Sequence, residues 1–211
     1  MTAPTPRMGV RRYQAKVLTA RYRDVLLGDW KTLLFLVAQS GVIAWLCTFV
    51  WGENHARDQP KLWFVMALAA VWFGCVNACR EIVKERAVLE RERFFGLSLA
   101  AYVWSKYAVL AYVGLAQVLL FQGVLELGVD VRGPFWVHTL AMWGGSLCGT
   151  GLGLLASAVA TTQERAVGAI PLLILPQILF SKFAISSFTD VTEVIEKAMP
   201  VRWAFRAMEE A

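Results

Sequence analysis

The chain has 211 residues, a formal net charge of +5, and a composition that is 57% hydrophobic and 18% charged. Soluble domains carry about 25% charged residues, and a single core of this size cannot bury so much apolar surface. The composition therefore excludes a disordered chain, a nucleic-acid-binding tail and an ordinary cytosolic domain, and it predicts an integral membrane protein.

The N-terminal segment, residues 1–31, is basic and has a helical pattern. It contains seven basic and two acidic residues, and Tyr13, Val17 and Ala20 recur at helical spacing among them. This pattern predicts an amphipathic helix lying in the membrane interface. A juxtamembrane anchor with no further role fits the same residues.

Five apolar runs follow, each close to the length of about 20 residues that a helix needs to span a bilayer. They cover residues 32–51, 62–79, 100–125, 135–160 and 166–185. Barrel strands would alternate apolar and polar residues over about ten positions, and these runs do not. The sequence therefore predicts an all-α integral membrane protein with about five transmembrane helices.

The distribution of Lys and Arg predicts the orientation. Residues 80–93 hold five basic residues, whereas the connection 52–61 holds two and the connection 126–134 holds one. The N-terminus and the 80–93 loop are therefore expected in the cytoplasm. The two sparsely charged connections and the amphipathic segment 186–211 are expected outside, with the last dipping into the outer leaflet.

The loop after the second run carries charges at helical spacing. Glu81 and Lys84 are three residues apart, and Arg86 and Glu90 are four apart. Such pairs contribute about 0.2–0.5 kcal/mol each to a surface helix. An apolar seam accompanies the charges, and a solvated loop would not need such a seam. We interpret residues 80–95 as a short cytoplasmic helix that docks another protein, with a plain solvated loop as the alternative.

Small residues recur every four positions in the fourth run, which lets another helix backbone approach closely. The stripe contains Gly145, Gly149 and Gly153. It predicts helix packing, either within the chain or between two protomers.

Motifs of common enzymes are missing from the chain. It has no P-loop, no H-E-x-x-H and no G-x-S-x-G, and its four cysteines lack zinc-ligand spacing. We expect no catalytic residue, metal site or cofactor site in this chain. The neutral amides within the runs, such as Asn77, Gln117 and Gln122, are expected to form interhelical hydrogen bonds or to line a substrate path.

Several short motifs occur in a characteristic order. Residues 80–86 read REIVKER, 90–93 read ERER, 96–106 read GLSLAAYVWSK, 175–181 read LPQILFS, and 200–205 read PVRWAF. From about residue 12 to residue 208, this order resembles the ABC-2 type permeases, most closely the ABCG (White-type) branch and its bacterial relatives.

That resemblance implies the transmembrane domain of a dimeric, ATP-driven exporter. A separate or fused ABC ATPase domain would bind ATP and Mg and hydrolyse the ATP, so this chain would not be an enzyme by itself. A second transmembrane half, identical or different, would pair with it in the lipid bilayer. The implied cargo is a lipid or another hydrophobic or amphipathic molecule, and the implied location is a bacterial inner membrane. The family also has a sixth span after the external segment, which these 211 residues do not include.

Two sets of residues are candidates for functional sites of such a transporter. By resemblance, the amphipathic helix within residues 1–31 would be a connecting helix to the ATPase. The loop helix would receive the motion of the ATPase through Glu81, Lys84, Glu85, Arg86, Glu90 and Arg91. By resemblance, the second and fifth spans would line the substrate path, with Val65, Leu68, Trp72, Leu173 and Gln177 as candidates.

Two other classes of function stay open on the sequence. A permease-like chain that only tethers a signalling ATPase, as a membrane scaffold, would have a similar sequence. An integral membrane lipid-modifying enzyme would need a polar cluster facing one side of the membrane, and the sequence indicates none. Stimulation of the ATPase by lipid would separate an exporter from a scaffold.

Overall fold

The computed structural model describes residues 8–52, 59–184 and 190–210. Within these ranges the regular structure is helical throughout, which confirms the all-α prediction. The helices are α1 (Met8–Gly28), α2 (Trp30–Trp51), α3 (Gln59–Ala78), α4 (Arg86–Phe94), α5 (Leu99–Glu126), α6 (Phe135–Val159), α7 (Gln163–Leu179), α8 (Asp190–Ala198) and α9 (Pro200–Glu209). A single 3₁₀ turn, Val83–Glu85, leads into α4.

Four described helices, α2, α3, α5 and α6, are long and apolar enough to cross a membrane. They coincide with the first four predicted runs. The predicted connection 52–61 lies mostly outside the described residues.

The fifth predicted span, 166–185, differs from the structure. Helix α7 has 17 residues, or about 26 Å at 1.5 Å per residue, against a hydrocarbon core of about 30 Å. It ends early because Ser181 directs both its N–H (3.2 Å) and its hydroxyl (2.8 Å) to the Ile178 carbonyl, which tightens the last turn. Residues 185–189 lie outside the described part of the chain. The described residues thus contain four full-length spans and a shorter α7.

Helices α3 and α6 form the centre of the bundle through direct backbone contact. A Cβ added at Gly149 would collide with the Val71 carbonyl oxygen, and one at Gly74 with the Ser146 carbonyl oxygen. A Cβ at Gly153 would lie 2.6 Å from the Cys75 carbonyl oxygen. The small-residue stripe of α6 therefore packs within the chain, against α3.

Helix α9, within the predicted amphipathic segment 186–211, packs into the helix bundle. It contacts α3 and α6, and a Cβ at Gly145 would lie 3.4 Å from the Ala204 side chain. The buried face of α9 consists of Val201, Arg202, Ala204, Phe205 and Met208. The small residues of α6 thus accommodate α9 at one end and α3 along their length.

Neutral amides join the spans by hydrogen bonds. Asn77 Nδ2 donates to Gln117 Oε1 at 2.5 Å, and Gln117 Nε2 donates to the Leu36 carbonyl at 2.7 Å, so that α2, α3 and α5 are linked. Gln122 Nε2 donates to the Phe135 carbonyl at 2.9 Å, which links α5 to α6.

Candidate coupling site

The candidate site lies at the end of the bundle where α1, the 80–98 segment and the first turns of α5 meet. The segment contains the turn after α3, the 3₁₀ turn and α4. We describe it from its buried centre outward.

Lys106 on α5 is the centre of the site. Its side chain is 2% exposed, and its Nζ lies 2.8 Å from Glu85 Oε2 and 3.6 Å from Glu81 Oε2. Lys84 also pairs with Glu81. Burial of a charge is costly unless it is paired and hydrogen-bonded. The two carboxylates provide this compensation for Lys106.

Two tyrosines complete the cluster. Tyr22 Oη donates to Glu81 Oε2 at 2.5 Å, and Tyr102 Oη donates to Glu85 Oε2 at 3.1 Å. The Lys106 Nζ lies 3.8 Å from the centroid of the Tyr22 ring, a cation–π distance. Burial, followed by the charge and the hydrogen bond of Glu81, raises the pKa of Tyr22. Tyr22 therefore stays protonated, and keeps donating, even at pH values above its ordinary pKa of about 10. We call Tyr22, Glu81, Glu85, Tyr102 and Lys106 the buried ionic cluster.

Helix α1 is attached to the loop at two further points. Arg21 Nη1 pairs with Glu92 Oε1 at 2.9 Å. The Gln14 side chain accepts from the Ser98 N–H at 3.2 Å and donates to the Gly96 carbonyl at 3.4 Å. Helix α1 thus follows the whole 80–98 segment from its beginning to its end.

The turn after α3 is also fastened to the end of α6. Ser157 Oγ accepts from the backbone N–H of Ile82 at 2.9 Å and of Val83 at 3.0 Å. Arg86 Nη2 donates to the Ala158 carbonyl at 2.7 Å, where the carbonyls at the helix end have no partner within the helix. The segment is therefore bound to α1, α5 and α6 together.

The outer face of α4 carries exposed side chains of mixed character. Phe94 is 86% and Phe95 81% exposed, and the neighbouring Glu90 and Arg91 are also exposed. Exposed aromatic rings next to charges are typical of surfaces that bind another protein. Gly96, with φ of +89°, ends this face and turns the chain towards α5. We call Glu90, Arg91, Phe94 and Phe95 the α4 docking face.

The six predicted coupling residues do not lie together. Glu81 and Glu85 belong to the buried ionic cluster, and Lys84 pairs with Glu81 at its edge. Arg86 binds the end of α6, while Glu90 and Arg91 are exposed on the α4 docking face. The predicted Glu81–Lys84 pair is confirmed. The predicted Arg86–Glu90 pair is wrong, because Arg86 reaches the Ala158 carbonyl instead.

Sequence reasoning missed Tyr22, Lys106 and Ser157 as parts of the site. A signal for Lys106 did exist, because a lone cation within an apolar run needs a partner. The carboxylates Glu81 and Glu85, four residues apart in the preceding loop, were the available candidates.

The predicted path residues occupy two neighbouring helices. Val65, Leu68 and Trp72 share one half-buried face of α3, and Leu173 is half-buried on α7, which contacts α3. Gln177 is buried. Its Nε2 donates to the Leu173 carbonyl at 3.0 Å, and its Oε1 accepts from the Val201 N–H in the first turn of α9 at 3.3 Å. Gln177 thus fastens α9 to α7, whereas the three α3 residues remain partly open.

Comparison with known proteins gives two matches. A family model described as ABC-2 type transporter matches residues 13–211. An ABC transporter ATP-binding/permease protein of Mycobacterium tuberculosis is 26% identical over 224 residues, which cover 92% of this chain and 25% of that protein. The chain thus spans about a quarter of the length of this relative.

Proposed function

Because the chain belongs to the ABC-2 type transporter family, we propose that it is the membrane half of an ATP-driven exporter whose ATPase domain binds the α4 docking face. The observation that supports this proposal is that the 80–98 segment is exposed on one side and bound to the helix bundle on the other. Its outer side exposes Phe94 and Phe95, while its inner side is bound to three helices through the buried ionic cluster and Ser157.

ATP and Mg bind to the ATPase domain in this proposal, and the present chain supplies no catalytic group. The ATPase domain is fused to this chain or separate from it. The name of the mycobacterial relative, which joins ATP binding and permease in one protein, supports the fused arrangement. The N-terminus and α4 face the cytoplasm of a bacterial inner membrane.

Force from the ATPase passes through the 80–98 segment as a rigid body. Exposed ion pairs contribute only about 0–1 kcal/mol each, so no single charge on the α4 docking face is essential. Buried pairs resist separation more strongly, because a lone buried charge is costly. A displacement of α4 therefore moves α1 and α5 through Lys106, and moves α6 through Ser157 and Arg86.

The cargo in this proposal is a lipid or another hydrophobic or amphipathic molecule. Support comes from the apolar, half-buried stripe of Val65, Leu68 and Trp72 on α3, which nothing in the described part of the chain fully covers. A second transmembrane half, identical or related, faces this stripe across the substrate path. A symmetric pair would present the same stripe from both sides.

A coupled transport assay tests the proposal. The full-length protein with its ATPase is reconstituted into proteoliposomes, and both lipid-stimulated ATP hydrolysis and outward movement of a fluorescent phospholipid are measured. The test variant reverses the charges of the docking face (Glu90→Arg, Arg91→Glu) and removes its rings (Phe94→Ser, Phe95→Ser).

We expect this variant to lose lipid stimulation and transport together. The matched control exchanges an exposed ion pair elsewhere, Glu193→Lys with Lys197→Glu, whose atoms are 2.6 Å apart on α8. The control should behave as the parent protein does. Undiminished transport by the docking-face variant would refute the docking proposal. Absence of lipid stimulation and of transport in the parent protein would favour the scaffold instead.

A further inference from the structure

A large apolar cleft lies between α1, α2 and α5, away from the buried ionic cluster. Its volume is about 1020 Å³, which is at the upper end of the range of about 300–1,000 Å³ for small-molecule sites. Its walls are mainly apolar side chains, among them Leu26, Leu33, Val37, Ala108, Tyr112 and Ala116. Tyr112 is 73% exposed, so the cleft opens towards the surroundings of the bundle.

The position of the cleft along α5 corresponds to one leaflet of a bilayer. Helix α5 has 28 residues, or about 42 Å, and a hydrocarbon core of about 30 Å takes up only about 20 of them. If Glu126 marks the outer boundary, Lys106 lies at the inner boundary and Ala116 near the midplane. The cleft extends from Ala100 to Ala116. It thus includes the headgroup region and the inner half of the hydrocarbon core.

Cations from one helix line the cleft. Arg12, Lys16 and Arg23 of α1 all contribute to its wall, and all three are exposed. Arg23 pairs with Asp24 at 2.8 Å, whereas no described residue forms an ion pair with Arg12 or Lys16. Trp104, which is 62% exposed, lines the same cleft near its Ala100 end, at the level where aromatic side chains concentrate in membrane proteins.

We propose that the α1–α2–α5 cleft binds one anionic phospholipid of the cytoplasmic leaflet. The phosphate lies between Arg12 and Lys16, and an acyl chain extends along Ala108, Tyr112 and Ala116 towards the midplane. The basic wall argues against a second copy of the chain as the occupant, because symmetric pairing would place like charges together. The assignment of the leaflet rests on the orientation in the proposed function, but the site itself does not.

Retention of lipid by the purified protein tests this site. The full-length protein in mild detergent is incubated with equal amounts of phosphatidylglycerol and phosphatidylcholine that have the same acyl chains. Bound lipids are then counted by native mass spectrometry. The test variant is Arg12→Gln, Lys16→Gln, Arg23→Gln. The control variant is Lys31→Gln, Arg80→Gln, Arg165→Gln, three exposed cations that do not line the cleft.

We expect the parent protein and the control to retain phosphatidylglycerol preferentially. Each basic residue near an anionic headgroup changes affinity about fivefold, so the test variant should lose the preference by about tenfold or more. Equal retention of the two lipids by the parent, or an unchanged preference in the test variant, would overturn the proposal. A loss of ATPase coupling in either variant would concern the proposed function. The lipid preference counted by mass spectrometry does not depend on that coupling.

Photo-crosslinking identifies the occupant directly. A benzophenone amino acid replaces Tyr112 inside the cleft or, as a control, Leu140 on α6, which is 60% exposed and lies outside it. In bilayers of the same two lipids, crosslinked phosphatidylglycerol should be enriched at position 112 relative to position 140. Crosslinking of position 112 mainly to a second copy, or to the ATPase domain, would show that protein covers the cleft and would refute the proposal.

Discussion

Tyr22 on α1 donates a 2.5 Å hydrogen bond to Glu81 on the turn after α3, across 59 positions of sequence. This contact joins α1 to the segment that carries the α4 docking face. Helix α1 and the 80–98 segment therefore form one unit, held by the same cluster that pairs Lys106.

Removing the Tyr22 hydroxyl is expected to destabilise this unit. Tyr22→Phe should lower the unfolding free energy by about 1.5–3 kcal/mol, because the lost hydrogen bond is made to a charged, buried acceptor. The control is Tyr13→Phe on the same helix, where the ring is 70% exposed. Thermal unfolding followed by tryptophan fluorescence in detergent measures both variants. Equal melting temperatures for the two would contradict the role given to Tyr22.

Replacement of Lys106 is expected to be more damaging. Lys106→Met leaves Glu81 and Glu85 without their common cation, at a cost of about 3–5 kcal/mol for a broken buried pair. Adding Glu81→Gln and Glu85→Gln should restore much of the stability, because no unpaired buried charge then remains; Lys84, which loses Glu81, is 34% exposed. Lys31→Met, at an exposed position, is the control. If the triple variant were no more stable than Lys106→Met, charge compensation would not explain the cluster.

The sequence predicted the first four spans well because each is a long apolar run. It also predicted the interhelical role of Asn77 and Gln117, because neutral amides in a span need partners. It could not predict that α9 packs on α6, since an amphipathic helix has the same pattern on a membrane surface as on a protein surface. The inward position of Glu81 and Glu85 depended on Lys106, more than 20 residues away, and charge spacing within the loop carries no information about that contact.

Helix packing gives a prediction with a control on the same helix. Gly149→Ala would force the Cβ against the Val71 carbonyl oxygen, whereas a Cβ at Gly151 meets no atom within 4 Å. Gly149→Ala should therefore lower the melting temperature. Gly151→Ala should raise the unfolding free energy by about 0.4–1 kcal/mol, through the loss of chain freedom in the unfolded state. If both variants changed the melting temperature equally and in the same direction, α3 and α6 would not be in backbone contact.

The hydroxyl of Ser157 is expected to matter for coupling as well as for stability. Ser157→Ala removes the acceptor of two backbone N–H groups and should cost about 1–3 kcal/mol. Ser40→Ala is the control, because the Ser40 hydroxyl bonds only within its own helix, to the Val37 carbonyl at 2.7 Å. In proteoliposomes, Ser157→Ala should also lower transport per ATP hydrolysed. If Ser157→Ala were less stable but moved as much substrate per ATP hydrolysed as the parent protein, Ser157 would have only a structural role.

Contact between the α4 docking face and the ATPase is the central claim, and site-specific crosslinking measures it most directly. A benzophenone amino acid at position 95 or, as a control, at position 136 on α6 is activated in the full-length protein, and crosslinked peptides are identified by mass spectrometry. Phe95 and Trp136 are 81% and 68% exposed, so both positions are accessible. We expect position 95 to crosslink to the ATPase domain and position 136 not to do so. Crosslinks to the ATPase from position 136, or none from position 95, would contradict the account.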